Sequence, residues 1–451
     1  MSGVGVGPYT ELTFDADGDC DPRQRAAVDR LDATDLIVFS HGWNSDRSTS
    51  TRLYDRFFAP FPALVAGSPG VRLGYVGVVW PSIRFSDEPI PDFDAPSAAG
   101  GPAAGPELDA GTRAALGEFW PGRGTELDRI AELLREQPES EEAFAEFGFL
   151  VRELLAGPEG GPVAAAPAAG AGGPGGGGYG PGGGVEDVVG DPVPALLAED
   201  PLVLCRLLTE GLREAGAEVA GPEASFSVGG GLKRLWSGGR ELLRQATYYE
   251  MKRRAGKVGE RGLGPVLARL AGARPGVRVH LVGHSFGARL VAYALRGVPA
   301  GARHVRSLTL LQGAFSHYAF AESLPHARGS GGALRGLQRR VAGPVVCCYS
   351  RHDAALRVFY PLASRMAGDS SSFAGFDERW GAMGHDGVQA VGGAVRLTLE
   401  AALRDGLPGA GCVSVDAAAV VRRGGAPSGA HSDICHEELA RIVVSAGRIG
   451  R

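Results

Sequence analysis

Cysteine is scarce and unpatterned in this chain of 451 residues. The six, Cys20, Cys205, Cys347, Cys348, Cys412 and Cys435, form no C-x-x-C spacing, which excludes a zinc ribbon and a disulfide framework and leaves buried free thiols as the expectation. Cys347 and Cys348 adjoin in an apolar run, where neighbours face opposite sides of a sheet and pack rather than bond. No run approaches the roughly 18 apolar residues that span a bilayer. Basic charge is not in excess: 46 Lys and Arg stand against 51 Asp and Glu, net −5. Without a basic block, nucleic acid is not an expected partner. Met1–Gly7 has no cationic segment and Asp15–Asp21 is strongly acidic, so no signal peptide is expected and a cytoplasmic location is. Asp15, Asp17 and Asp19 have the spacing of a calcium loop, but its sixth position is Cys20 instead of Gly and its twelfth Ala26 instead of Glu. That template fails. No internal repeat is evident.

Glycine is plentiful, at 71 residues, and concentrated. From Gly157 to Gly184 the chain is Gly, Pro and Ala almost without charge or aromatics, a composition that cannot bury enough apolar surface to offset chain entropy; it reads as a disordered linker. Elsewhere, short apolar runs at Leu36–Phe39, Tyr75–Trp80, Val277–Val282, Ser307–Leu311, Val345–Tyr349 and Cys412–Val415 predict strands covered on both faces. A further strand, or a pair turning at Asp17-Gly18, is expected within Tyr9–Phe14. Helices are predicted at Glu126–Glu136, with Thr125 as a cap, at Glu141–Leu155, capped by Ser140, at Asp200–Ala215 and at Arg240–Ala255. The alternation predicts an α/β fold with a mostly parallel central sheet, whose ligands gather at the carboxyl ends of the strands. The interval before the fourth main strand is too long for one crossover. We therefore expect a core in two parts, 1–83 and 240–451, separated by a helical insertion or lid, 84–239.

Gly283-His284-Ser285-Phe286-Gly287 follows the strand Val277–Val282 and precedes a helical run, Ala288–Leu295. A serine on a sharp strand-to-helix turn needs small neighbours, because a Cβ at 283 or 287 would clash. Its hydroxyl then stands at the tip of the sheet, with Phe286 N–H facing any oxyanion that forms there. A serine hydroxyl is a weak nucleophile, so it needs a histidine to take its proton and a carboxylate to fix that histidine's tautomer. Asp353, in the loop directly after Val345–Tyr349, is the expected acid; Asp377 and Asp386 are reserves. His431, in a loop after the last predicted strand, is the expected base, ahead of His385 and then His436. His284 is expected to pack beside the nucleophile, and His317, His326 and His352 to lie in loops. The second oxyanion donor is expected after Leu36–Phe39, where Gly42 permits close approach and Trp43 or Asn44 offers an N–H.

Taken together, the strand-His-Gly-Trp loop, Gly-His-Ser-Phe-Gly, the strand followed by Asp353 and the late His431-Ser432-Asp433 resemble the α/β-hydrolase superfamily. More narrowly, the run Tyr249–Gly256 with Val258-Gly259 and Gly283–Arg289 is similar to a poorly characterised bacterial branch of serine-hydrolase-like proteins. The resemblance implies that fold, a triad of Ser285, Asp353 and His431, and Trp43 and Phe286 as oxyanion donors. The expected function is hydrolysis of an ester, thioester or related acyl bond of a small molecule through an acyl-enzyme. This chemistry needs neither a metal nor an organic cofactor. Two other functions fit the same residues: a non-catalytic binding or scaffold protein on this fold, and an interfacial lipase using basic and aromatic residues of Lys233–Arg254.

Overall fold

The computed structural model describes residues 3–43, 45, 47–83, 105–155, 199–217, 230–327, 329–362 and 381–450. The Gly/Pro/Ala tract, Asn44 and Asp377 lie outside the described residues. Eight strands form one sheet: β1 (Tyr9–Thr13), β2 (Asp35–Ser40), β3 (Leu73–Val79), β4 (Arg278–His284), β5 (Val305–Leu311), β6 (Pro344–Tyr349), β7 (Val395–Thr398) and β8 (Gly411–Asp416). Their order is β1-β3-β2-β4-β5-β6-β8-β7, and every pair is parallel. All six predicted apolar runs are strands. Their residues are apolar on both sides because helices cover both faces: β2 and β3 are buried at every position.

Side chains alternate between two cores. Leu36, Val38, Val279, Leu281, Leu308 and Cys347 face one, with helices Trp236–Lys257, Gly264–Ala273 and Phe286–Ala294. Ile37, Phe39, Val282, Leu311 and Cys348 face the other, with helices Arg47–Phe58 and Glu437–Gly447. Cys347 and Cys348 thus point to opposite faces as free thiols.

Of the two N-terminal alternatives the structure has the single strand: β1 pairs in parallel with β3, and an isolated antiparallel bridge joins Phe14 to Cys20. Asp15 bends that turn, its Oδ1 accepting from the N–H groups of Asp17 and Asp19, each at 2.9 Å. Other boundaries and elements differ from the sequence reading. The helix Gly124–Glu136 starts before Thr125, after Arg123 without a side-chain cap, whereas Ser140 does accept from Ala143 N–H, at 3.2 Å. Strand β7 has no apolar run to announce it, since it is a partly exposed edge. Finally, the predicted helix Arg240–Ala255 is longer, Trp236–Lys257. It packs against helices Glu141–Leu155 and Pro201–Glu214 and also against Phe286–Ala294, so it joins the first two helices to the layer that covers the sheet. Among the described residues no helix is long and apolar enough to cross a membrane.

Candidate active site

Ser285 closes β4 and opens the helix Phe286–Ala294 with φ 56° and ψ −121°. An L residue is strained there, at about 1–3 kcal/mol, and stays only if its surroundings over-determine it. They do: Ser285 N–H donates to Leu311 carbonyl at 3.1 Å, and its own carbonyl accepts from Ala288 and Ala314 N–H, at 3.1 and 3.2 Å. The flanking glycines are needed for close approach. A Cβ on Gly283 would fall on the backbone of Gly287, and one on Gly287 would fall on the carbonyls of Ser40 and His41. The elbow is therefore pressed against the end of β2.

The three side chains expected to act together do meet, from positions 285, 353 and 431. Ser285 Oγ donates to His431 Nε2 at 2.8 Å, and His431 Nδ1–H donates to Asp353 Oδ2 at 2.7 Å. Ser285 is 3% exposed and Asp353 fully buried. The carboxylate fixes the tautomer: with the hydrogen on Nδ1, the Nε2 lone pair faces the hydroxyl. Asp353 itself is held by Leu356 N–H on Oδ1 at 2.9 Å and by Gln312 Nε2 on Oδ2 at 3.3 Å.

The loops that carry acid and base are stitched together. Ala430 N–H donates to His352 carbonyl at 2.9 Å, Ala355 N–H to Ser428 carbonyl at 3.2 Å, and Asp353 bridges Gly429. Beyond His431, Asp433 Oδ2 accepts from the N–H groups of Arg422 and Arg423 at 2.9 and 2.8 Å. His284 reaches across to donate Nε2–H to the carbonyl of His431 at 2.9 Å. Burial drives the His284 pKa down to about 3, with the neighbouring His431 adding to the shift, so the ring is neutral and serves as a fixed donor.

On the other side of the serine lies the loop after β2. A Cβ on Gly42 would sit 2.6 Å from Ser285 Cβ, so only glycine lets this backbone run beside the hydroxyl. His41 holds the loop, its Nδ1–H donating to Gly42 carbonyl at 2.8 Å and its ring stacked on Trp80 at 5.5 Å. Trp80 Nε1–H donates to His41 carbonyl at 3.0 Å. Trp43 follows, with Phe286 at the first position of its helix, where the backbone N–H has no intrahelical acceptor. An aromatic residue that the sequence suggested only for an interfacial role joins them: the Tyr248 ring lies 4.6 Å from that of Phe286 and 5.7 Å from that of Trp43.

The reserve residues form a separate group. Asp386 accepts from His317 Nδ1 at 3.1 Å and from His385 Nδ1 at 2.8 Å, so neither Asp386 nor His385 belongs to the Ser285 relay. His436 pairs with Asp433 at 2.9 Å. His317 lies in a loop, as expected, and is buried there against Asp386. Gln312 was not anticipated; its signal is conformational, a non-glycine residue at φ 47°, which no sequence pattern announces. Among the described residues no group of three or more His, Cys, Asp or Glu is placed to hold a metal ion. Comparison of the chain with protein-family models, with curated proteins and with solved structures found no match.

Proposed function

We propose that this chain is a serine hydrolase of the α/β-hydrolase type, cleaving an ester, thioester or related acyl bond of a small molecule. The observation that carries the reading is the continuous relay Ser285 Oγ, His431 Nε2, His431 Nδ1, Asp353 Oδ2, with links of 2.8 and 2.7 Å. Ser285 Oγ attacks the acyl carbon while its proton passes to His431 Nε2; Asp353 stabilises the imidazolium. The negative oxygen of the tetrahedral intermediate is received by the N–H of Phe286 and by the backbone at Gly42-Trp43. Collapse expels the leaving group with the proton from Nε2. Water, deprotonated by the same nitrogen, then attacks the acyl-enzyme and releases the acid.

An interfacial role for the helix Trp236–Lys257 draws less support, since Trp236 and Tyr248 are buried in protein. A fluorophosphonate probe tests the reading. We expect labelling of the native chain and none of Ser285→Ala, with turnover of short acyl esters lost in His431→Ala. Labelling that persists in Ser285→Ala would assign the chemistry to another residue; a folded native chain that neither labels nor turns over would leave a binding protein.

A further inference from the structure

A cavity of about 650 Å³ lies between Glu214 of the helix Pro201–Glu214, the segment Leu356–Pro361, His317-Tyr318 and residues 381–396. Its described lining includes no triad residue. That volume suits a small organic ligand, and Tyr318, Tyr349, Leu356 and Pro361 give it apolar wall.

Its polar groups are organised around one carboxylate. Burial would raise the Asp386 pKa, but the hydrogen bonds from His317 and His385 outweigh burial and hold it well below the usual carboxylate range. An ionised carboxylate only accepts, so both Nδ1 atoms carry hydrogens and donate to it, which turns each Nε2 away from the carboxylate. His317 is 4% exposed, and its Nε2 is buried without a partner among the described residues. Leaving such a polar atom unmet costs about 1–3 kcal/mol, the mark of a group waiting for a partner. The cluster is closely built: a Cβ on Gly381 would fall on Asp386 Oδ2 and on the His317 ring.

The second feature is a charge. Of the two guanidinium groups in the wall, Arg357 is paired with Glu214 at 3.1 Å. Arg396 has no carboxylate partner among the described residues: it donates to the Asp386 carbonyl and lies 5.6 Å from the Tyr349 ring centroid. Its planar fork is suited to a carboxylate. We propose that this cavity is a second ligand site, for a small hydroxylated carboxylate. The carboxylate pairs with Arg396, the hydroxyl hydrogen-bonds with an Nε2 that Asp386 orients, and the carbon body lies against Tyr318 and Tyr349. The site does not depend on the Ser285 relay being catalytic.

The test uses three probes on the full chain, followed by calorimetry or ligand-observed NMR: mandelate, phenylacetate, which lacks the hydroxyl, and 1-phenyl-1,2-ethanediol, which lacks the carboxylate. Mandelate is expected to bind about tenfold or more tighter than either. Arg396→Gln, an exposed position, should erase its advantage over the diol, and Asp386→Asn its advantage over phenylacetate, with melting checked for both. Should Asp386→Asn fail to fold, Arg396→Gln alone decides the carboxylate contact. Equal binding of all three probes, no mandelate binding at about 10 mM, or full mandelate affinity in Arg396→Gln overturns the proposal. Ser285→Ala should bind mandelate like the native chain, so failure here is distinct from failure of the hydrolase reading.

Discussion

At Ser285 a few tenths of an ångström decide what the hydroxyl can do. The loop Gly42-Trp43 touches the serine so closely that Gly42→Ala must push one backbone away from the other, since the added Cβ would meet Ser285 Cβ at 2.6 Å. We expect the rate of probe labelling to fall by about 10²–10³, the cost of losing one oxyanion donor. The denaturation midpoint should fall with about 1–3 kcal/mol of overpacking; unchanged labelling would remove Gly42-Trp43 from the oxyanion site. Gln312 acts one step further back, through Asp353. Gln312→Met keeps the volume but removes the Nε2–H from the oxygen that His431 also uses. A hydrogen bond to a charged group contributes about 1.5–3 kcal/mol, so labelling should slow at least about tenfold while the fold persists. Retained wild-type kinetics would make Gln312 a bystander. Ser285 and Asp353 were legible in sequence because each lies in the turn or loop that follows a strand, and His431 because it lies in the loop between the last strand and the last helix. Gln312, His317 and Tyr248 were not, because what distinguishes them is a dihedral angle or a neighbour more than 30 residues distant.

Among the elements, the helix Trp236–Lys257 does the most to connect parts. Trp236 is fully buried at its start, stacked on Phe144 at 4.3 Å between ring centroids, edge-on to Phe147 at 5.5 Å, and donating Nε1–H to Pro138 carbonyl at 3.0 Å. Twelve residues on, Tyr248 touches Phe286 beside the serine. The same rod thus anchors the helix Glu141–Leu155 at one end and supports the turn at Ser285 further along. Trp236→Ala should cost about 3–5 kcal/mol in urea denaturation. The loss should centre on the helices packed around Trp236, seen as early proteolytic cleavage near Glu141–Leu155. A variant as stable and protease-resistant as the native chain would mean that the helix Glu141–Leu155 has another anchor. Elements were read well from sequence where burial was two-sided, as in β2 to β6 and β8, because a strand covered by helices on both faces must be apolar at successive positions. β7 was missed for the converse reason: Val395-Arg396-Leu397-Thr398 is a half-exposed edge whose composition resembles a loop. The choice between one strand and a pair near Tyr9–Phe14 stayed open in the sequence because it is settled by the partner, β3, more than 60 residues away.

For the molecule as a whole, the opposite end of the sheet holds a second Ser, His and Asp that bears on stability and not on chemistry. His280 Nε2–H donates to Asp35 Oδ1 at 2.9 Å and its Nδ1 accepts from Ser307 Oγ at 3.0 Å; all three residues are fully buried. No substrate can reach them, and they tie β2, β4 and β5 together. Arg278 at 2.6 Å balances the Asp35 charge. Burial holds the His280 pKa below the ordinary imidazole value despite Asp35, and does the same for His284, to about 3. Both rings are therefore neutral when folded, whereas the unfolded chain takes up protons near the usual value of about 6.5. Below that pH the unfolded state binds more protons than the native one, so stability falls as pH falls, by up to about 1.4 kcal/mol per pH unit for each ring. Above about pH 7 these two groups contribute no slope. Urea midpoints between pH 8 and pH 4 should show a plateau followed by this decline. His280→Gln, which keeps an N–H for Asp35 but cannot titrate, should lessen the acid slope. Equal slopes in the two proteins would show that His280 takes up its proton inside the fold, with Asp35 ionised beside it, and that desolvation does not govern this buried pair.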